Sequence, residues 1–278
     1  MRIPILTYHS LDIHGNRYED NDLVAIANDL QLLAREKYHV MPLHEIIGQW
    51  LRDDTSSLEG RRIVALTCDD GSDFDFRDLN HPVAGPQRSV LNLLREFQER
   101  SLQAAPRVHM TSFVIVSPDA RKLLDRTCMI GADWWNDDWW NNAIDSGLMG
   151  IANHSWDHHH DSLPDTFDLG VPRGTFKSIT NAALADAEIR RASEYLWQRA
   201  PNPSAALFAY PYGEANEYLV DEYFPRFGDE LNIKAAFSDS PAPLTSASNR
   251  WVIPRYICGR DWTTPDGLGR VLADAISR

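Results

Sequence analysis

The chain of 278 residues is long enough for one large α/β domain with a substantial core. Its 27 Lys and Arg against 40 Asp and Glu leave a net charge of −13, which argues against non-specific nucleic-acid binding. No apolar run reaches the length of a membrane span and no signal-peptide pattern opens the chain; its three cysteines lack finger spacing and favour a reducing, cytoplasmic setting.

Residues 3–8, Ile3-Pro4-Ile5-Leu6-Thr7-Tyr8, read as a short buried strand ending at His9 and Ser10. Leu23, Ile26, Leu30 and Leu33 recur at helical spacing and predict a helix over 22–37. A short strand over 38–42 and a helix over 43–51 follow, and the polar stretch 53–60 is a surface loop. Ile63-Val64-Ala65-Leu66 then runs as a buried strand into Thr67-Cys68-Asp69-Asp70 and stops at Gly71. Two adjacent carboxylates at the mouth of a buried strand are costly unless a cation or partner receives them. Strand C-terminal ends are also where α/β folds build their sites.

Residues 80–86 read as an irregular loop, 86–100 as a helix and 107–116 as a strand, with Pro118 in the first turn of the next helix. Over 133–146 the spacing predicts a helix with Trp135 and Trp139 on one face. Those tryptophans either pack the core or form a wall for sugar rings. A short strand over 148–152 delivers His154, and a polar loop over 161–177 is placed to cover a site. A long helix over 178–199 precedes a strand over 207–210 that meets Pro211-Tyr212-Gly213. Strands over 233–237 and 251–258, the second carrying Arg255, and a helix over 265–277 complete the chain. Strands alternate with helices without linker or repeat, the pattern of one parallel α/β domain over residues 1–278. Seven or eight strands favour a barrel over an open sheet.

His154 and His158, at i and i+4, pair with the distant Asp69-Asp70 as a second polar cluster at a strand end. Two imidazoles and one carboxylate leave open positions on a divalent metal. The run His158-His159-His160 leaves open which of the three faces it.

Thr67-Cys68-Asp69-Asp70-Gly71 resembles the Thr-Phe-Asp-Asp-Gly motif of the polysaccharide deacetylases, the family-four carbohydrate esterases. His154-Ser155-Trp156-Asp157-His158 is similar to their His-Ser/Thr-x-x-His motif, and Phe208-Ala209-Tyr210-Pro211-Tyr212-Gly213 to the third, which ends Pro-Tyr-Gly. The resemblance implies a distorted (β/α)7 barrel. It makes Asp69 the general base, Asp70, His154 and His158 the metal ligands, and Ser155 a brace for its loop. The backbone N–H of Tyr212 would hold the oxyanion, and Trp156, Pro211 and Arg255 would lie on the substrate side. Two positions depart from the family pattern. Ala209 stands where an Arg normally orients the base, and Arg255 is the candidate substitute. No histidine follows His160, where the family carries a late acid; Tyr8-His9 matches the branch resembling poly-N-acetylglucosamine deacetylases, which makes His9 the candidate acid. Zinc suits the ligand set best, and cobalt, nickel or manganese would fit. The expectation is a metal-dependent hydrolase that frees acetate from an N-acetylated sugar or its polymer. The alternatives are a hydrolase of another non-peptide C–N bond in a small amide, and a carbohydrate-binding protein of the same fold without catalysis.

Overall fold

The computed structural model describes residues 1–100, 108–164 and 170–277. Its strands in chain order are β1 Arg2–Ile3, β2 Ile5–His9, β3 His39–Val40, β4 Ile63–Asp70, β5 Leu79–His81, β6 Gly85–Gln87, β7 Met110–Val114, β8 Met149–Asn153, β9 Leu207–Ala209, β10 Ala235–Phe237, β11 Leu244–Thr245 and β12 Tyr256–Ile257. Eight of them form one parallel sheet, seven in the order β10-β9-β8-β7-β4-β2-β12 and β3 paired with the start of β4. Parallel neighbours need crossovers, and the helices supply them. These are α1 Asp22–Arg35, α2 Leu43–Leu51, α3 Val90–Arg100, α4 Pro118–Thr127, α5 Trp140–Asp145, α6 Ala182–Ala185, α7 Arg191–Arg199, α8 Phe224–Phe227 and α9 Pro265–Ser277. Ile253 bridges Phe237 on β10, while Tyr256 pairs with Leu6 on β2, so residues 253–257 touch both edges of the curled sheet. The result is a distorted (β/α)7 barrel.

Strand alternation sorts the side chains between two cores. Ile5, Ile63, Ala65, Phe113, Ala152, Ala209, Ala235, Phe237 and Ile253 fill the barrel. Leu6, Tyr8, Val64, Leu66, Cys68, Met110, Val114 and Ile151 face outward into the core shared with α1, α3 and α9. The small alanines leave room for Phe113 and Phe237, whose rings lie 5.7 Å apart. The inward row continues along β4 through Thr67 to Asp69, and along β2 through Thr7 to His9. Thr7 and Thr67 share a hydroxyl hydrogen bond of 2.9 Å, and His9 is the register partner of Asp69. The polar ends of two buried strands therefore meet at the carboxyl end of the barrel.

Several elements differ from the sequence reading. The helix expected over 133–146 contracts to Trp140–Asp145. Upstream, carboxylates capture the backbone: Asp125 accepts the N–H groups of Asp133 and Trp134, and Asp73 accepts that of Asn136. Trp135 consequently packs with Ile115, Ala120, Leu124 and Leu163, whereas Trp139 and Trp140 join the outer core; the expected shared face does not exist. The loop over 80–86 is an antiparallel β5–β6 hairpin, and α3 begins at Val90, where Ser89 Oγ accepts the Asn92 N–H. The strand over 107–116 covers Met110–Val114, and Arg107 lies outside the described residues. The strand over 251–258 reduces to Tyr256–Ile257 plus the Ile253 bridge, and that over 233–237 to Ala235–Phe237. The helix over 178–199 starts at Ala182, capped by Asn181, and passes through a π-helical turn at Asp186–Arg190 between α6 and α7. Of the polar loop over 161–177, residues 165–169 lie outside the described residues.

Candidate active site

At the end of β4 the two aspartates diverge. Asp69 continues the inward row and is 4% exposed. Arg255, itself buried, grips it with two parallel hydrogen bonds of 2.8 Å. Burial pushes the Asp69 carboxyl up, and the Arg255 charge then overrides it with help from His154, down to about 2. Asp70 is off that row by strand alternation, and its φ of +75°, in the left-handed region, turns the chain there, with Gly71 following at +74°. A Cβ on Gly71 would lie 2.4 Å from the Val114 side chain, so the turn takes only glycine.

The loop after β8 brings the histidines. His154 Nδ1 lies 2.9 Å from the Ala209 carbonyl, which can only accept, so Nδ1 carries the proton and Nε2 presents its lone pair. That Nε2 is 3.6 Å from Asp70 Oδ1, and His158 Nε2 is 3.7 Å from the same oxygen. Ser155 Oγ accepts the His158 backbone N–H at 2.9 Å. His159 turns away toward the Pro172 carbonyl and Glu188, and His160 points at Cys128. Of the three adjacent histidines, His158 is the one facing Asp70. Burial, reinforced by His154 and His160, holds His158 well below its ordinary pKa and therefore neutral. Its Nδ1 is buried without a hydrogen-bond partner among the described residues.

Among the described residues, Asp70, His154 and His158 form one of three groups whose ligand atoms converge within 4.8 Å. Ligands held at about 2.0–2.1 Å around a tetrahedral ion sit roughly 3.3–3.5 Å apart, so the separations here fit a shared divalent cation. Two imidazoles, with His158 held neutral by burial, and one carboxylate also fit one. The other two groups are occupied differently. Asp157, His159 and Glu188 bond to one another and to Arg173, and in the group of His9, Asp12 and Asp22 the Asp22 carboxylate accepts the His9 backbone N–H.

Asp70 and His158 open into a cleft of about 430 Å³, walled by Leu11, Phe74, Met129, Trp134, Trp135 and Tyr212 among others. Tyr212 sits at φ +58° and lays its ring edge-on to His158, with centroids 4.5 Å apart. Non-glycine residues with positive φ concentrate here: Asp70, Ser155, His158, His159 and Tyr212. Such strain persists where the surroundings over-determine it, commonly at sites. His9 lies beside Asp69; burial lowers its pKa, but Asp70, Asp69, Asp12 and Asp22 outweigh that and raise it overall. Trp156 is placed elsewhere, under the Arg191 guanidinium at 3.8 Å, in a separate cavity with Ser117 and Leu163. Pro211 is buried beneath Tyr212 at the start of its turn.

One buried cluster gave no sequence signal. Asp75, fully buried, accepts hydrogen bonds of 2.5 Å from Ser10 and Ser112 and a longer one from Cys68. It ties the turn after β4 to the ends of β2, β4 and β7. Burial raises its pKa to about 6, against the lowering effect of those donors. No spacing rule would have joined four residues from four separate segments.

Residues 58–223 match the polysaccharide deacetylase family. Among solved structures the chain is similar to the deacetylase PplD of Streptococcus pyogenes in complex with acetate, at 18% identity and a TM-score of 0.63, covering 98% of each chain. It is similar to IcaB from Ammonifex degensii at 18% identity and a TM-score of 0.62, covering 99% of this chain and 97% of that one. A de-N-acetylase from Aggregatibacter actinomycetemcomitans matches at 14% identity and a TM-score of 0.63, covering 98% and 100%. Among curated proteins none matches in sequence.

Proposed function

Because the chain belongs to the polysaccharide deacetylase family, we propose that it is a metal-dependent hydrolase that releases acetate from an N-acetylated sugar polymer. The observation that carries this reading is the juxtaposition of an Arg-clamped carboxylate, Asp69, with the converging Asp70, His154 and His158. The acetate held by the S. pyogenes neighbour and the de-N-acetylase chemistry of the A. actinomycetemcomitans neighbour agree with it.

Asp70, His154 and His158 would hold the ion, zinc being the best match to two imidazoles and a carboxylate. When bound, such an ion supplies Lewis-acid polarisation of the amide carbonyl and acidifies water. The remaining work falls to the chain. Asp69, ionised by Arg255, takes the proton of the attacking water. Arg255 keeps that carboxylate oriented through its planar fork. The backbone N–H of Tyr212 is the donor to the oxyanion of the tetrahedral intermediate. His9, protonated beside the carboxylates, hands a proton to the departing amine nitrogen. Arg255 places a guanidinium on Asp69 where Ala209 cannot, which weighs against a sugar-binding protein without catalysis. The test is acetate release from N-acetylglucosamine oligomers by metal-stripped and zinc-reloaded protein. Release restored by zinc supports the proposal; absence of release from any acetylated oligomer with zinc bound contradicts it.

A further inference from the structure

We propose that Trp135 is a positioning residue that sets the direction of the Asp70 carboxylate through the Asp70 peptide; this rests on the metal-site reading above. Two consecutive left-handed residues, Asp70 and Gly71, end β4. Glycine adopts that conformation freely, but aspartate does so at a cost that the surroundings must offset. The Asp70 carbonyl is where the offset is applied. It accepts the Trp135 indole N–H at 3.0 Å and the Ile115 backbone N–H at 3.2 Å. The first bond comes from a loop, the second from the chain just beyond β7, so the peptide is held from two sides.

The Trp135 loop is built to carry this load. Asp125 accepts the N–H groups of Asp133 and Trp134. Asp73, three residues past Asp70, donates its own N–H to the Trp134 carbonyl and accepts from Asn136. The indole is buried to all but 7% among Ile115, Leu124 and Leu163, which fixes its plane. Rotation of the Asp70 peptide would swing its carboxylate relative to His154, whose ring is held by the Ala209 carbonyl, and to His158, whose backbone is held by Ser155 Oγ and whose ring packs against Tyr212. Groups that orient a ligand in this way govern affinity and geometry at the ion rather than touching substrate.

The test uses Trp135→Phe, which keeps a ring in the pocket and deletes the N–H. Trp139→Phe is the control: that indole is fully buried, and among the described residues its nitrogen has no hydrogen-bond partner. Zinc affinity is read by competition with a chromophoric chelator, the ligand field by the visible spectrum of the cobalt-substituted protein, and fold by thermal unfolding. The expected result is a zinc affinity about 10- to 100-fold weaker in Trp135→Phe. Its cobalt spectrum should be altered and amide exchange at Ile115 faster, while Trp139→Phe keeps the wild-type affinity and spectrum. Wild-type affinity and spectrum in Trp135→Phe would overturn the inference and leave the metal-site reading intact. A wild-type protein that binds no zinc would overturn both.

Discussion

Arg255 and Asp69 meet in a buried, two-pronged ion pair, although 186 residues separate them in the chain. Thr67, one step below on the inward face, lies 3.4 Å from the same guanidinium. The pair exists because residues 253–257 close the barrel between β10 and β2, which points Arg255 across the interior at β4. It couples the closing of the fold to the electrostatics of the site.

Removing one member of that pair should therefore be felt twice. Arg255→Met leaves a buried carboxylate uncompensated, a loss of roughly 3–5 kcal/mol. It also lets the Asp69 pKa rise from about 2, since burial alone pushes it up. A base that protonates at higher pH moves the acidic limb of the rate profile upward. Thermal unfolding and a pH–kcat profile check both; the double variant Arg255→Met with Asp69→Asn should recover part of the stability. An acidic limb unchanged in Arg255→Met would contradict the clamp.

The three adjacent histidines should separate in metal content. His158→Gln removes a nitrogen that faces Asp70 and should abolish stoichiometric zinc. His160→Gln, whose ring points at Cys128, should keep it. Elemental analysis of the purified variants decides; equal zinc in both would exclude His158 as a ligand.

His9→Asn should flatten the alkaline side of the rate profile. The nearby carboxylates hold the His9 proton above its usual 6.5, so an acid role predicts loss of rate as pH rises past that value. Asparagine neither gains nor loses a proton there. A variant with wild-type rate and an unchanged descending limb would remove His9 from the mechanism.

Asp75 predicts a pH-dependent stability. Its pKa is about 6 in the fold against an ordinary 3.8, so the folded state keeps a proton that the unfolded chain releases. Stability from this group is full below 3.8 and falls as pH rises to about 6, by roughly 3 kcal/mol. Asp75→Asn does not titrate and should lack that component in unfolding scans from pH 4 to 7. Parallel stability curves for the two proteins would contradict the assignment.

The fold and the convergence of Asp70, His154 and His158 were legible because they are written locally. Apolar runs ending in Asp69-Asp70, His154 and Tyr212 mark strand ends, and strand ends gather in a parallel barrel. Arg255 was readable as a candidate only through the gap at Ala209. What escaped depends on contacts between distant segments. The Trp135 loop lost its helix to the carboxylates of Asp73 and Asp125, which lie 63 and 8 residues upstream of the amides they bind. Asp75 joined three strands without any pattern in its own neighbourhood. Trp156, inside a motif, lies beneath Arg191 in another cavity, because the turn at Ser155 reverses the chain and the Glu188 carbonyl accepts the Trp156 N–H.

In the proposed division of labour Asp69 moves the proton while Asp70, His154 and His158 hold the ion. Its most direct test measures zinc content and acetate release together in wild type and Asp69→Asn. One zinc per chain is expected in both, with turnover lower in Asp69→Asn by about 10²- to 10⁴-fold. Wild-type turnover in Asp69→Asn would contradict the division of labour between the two aspartates.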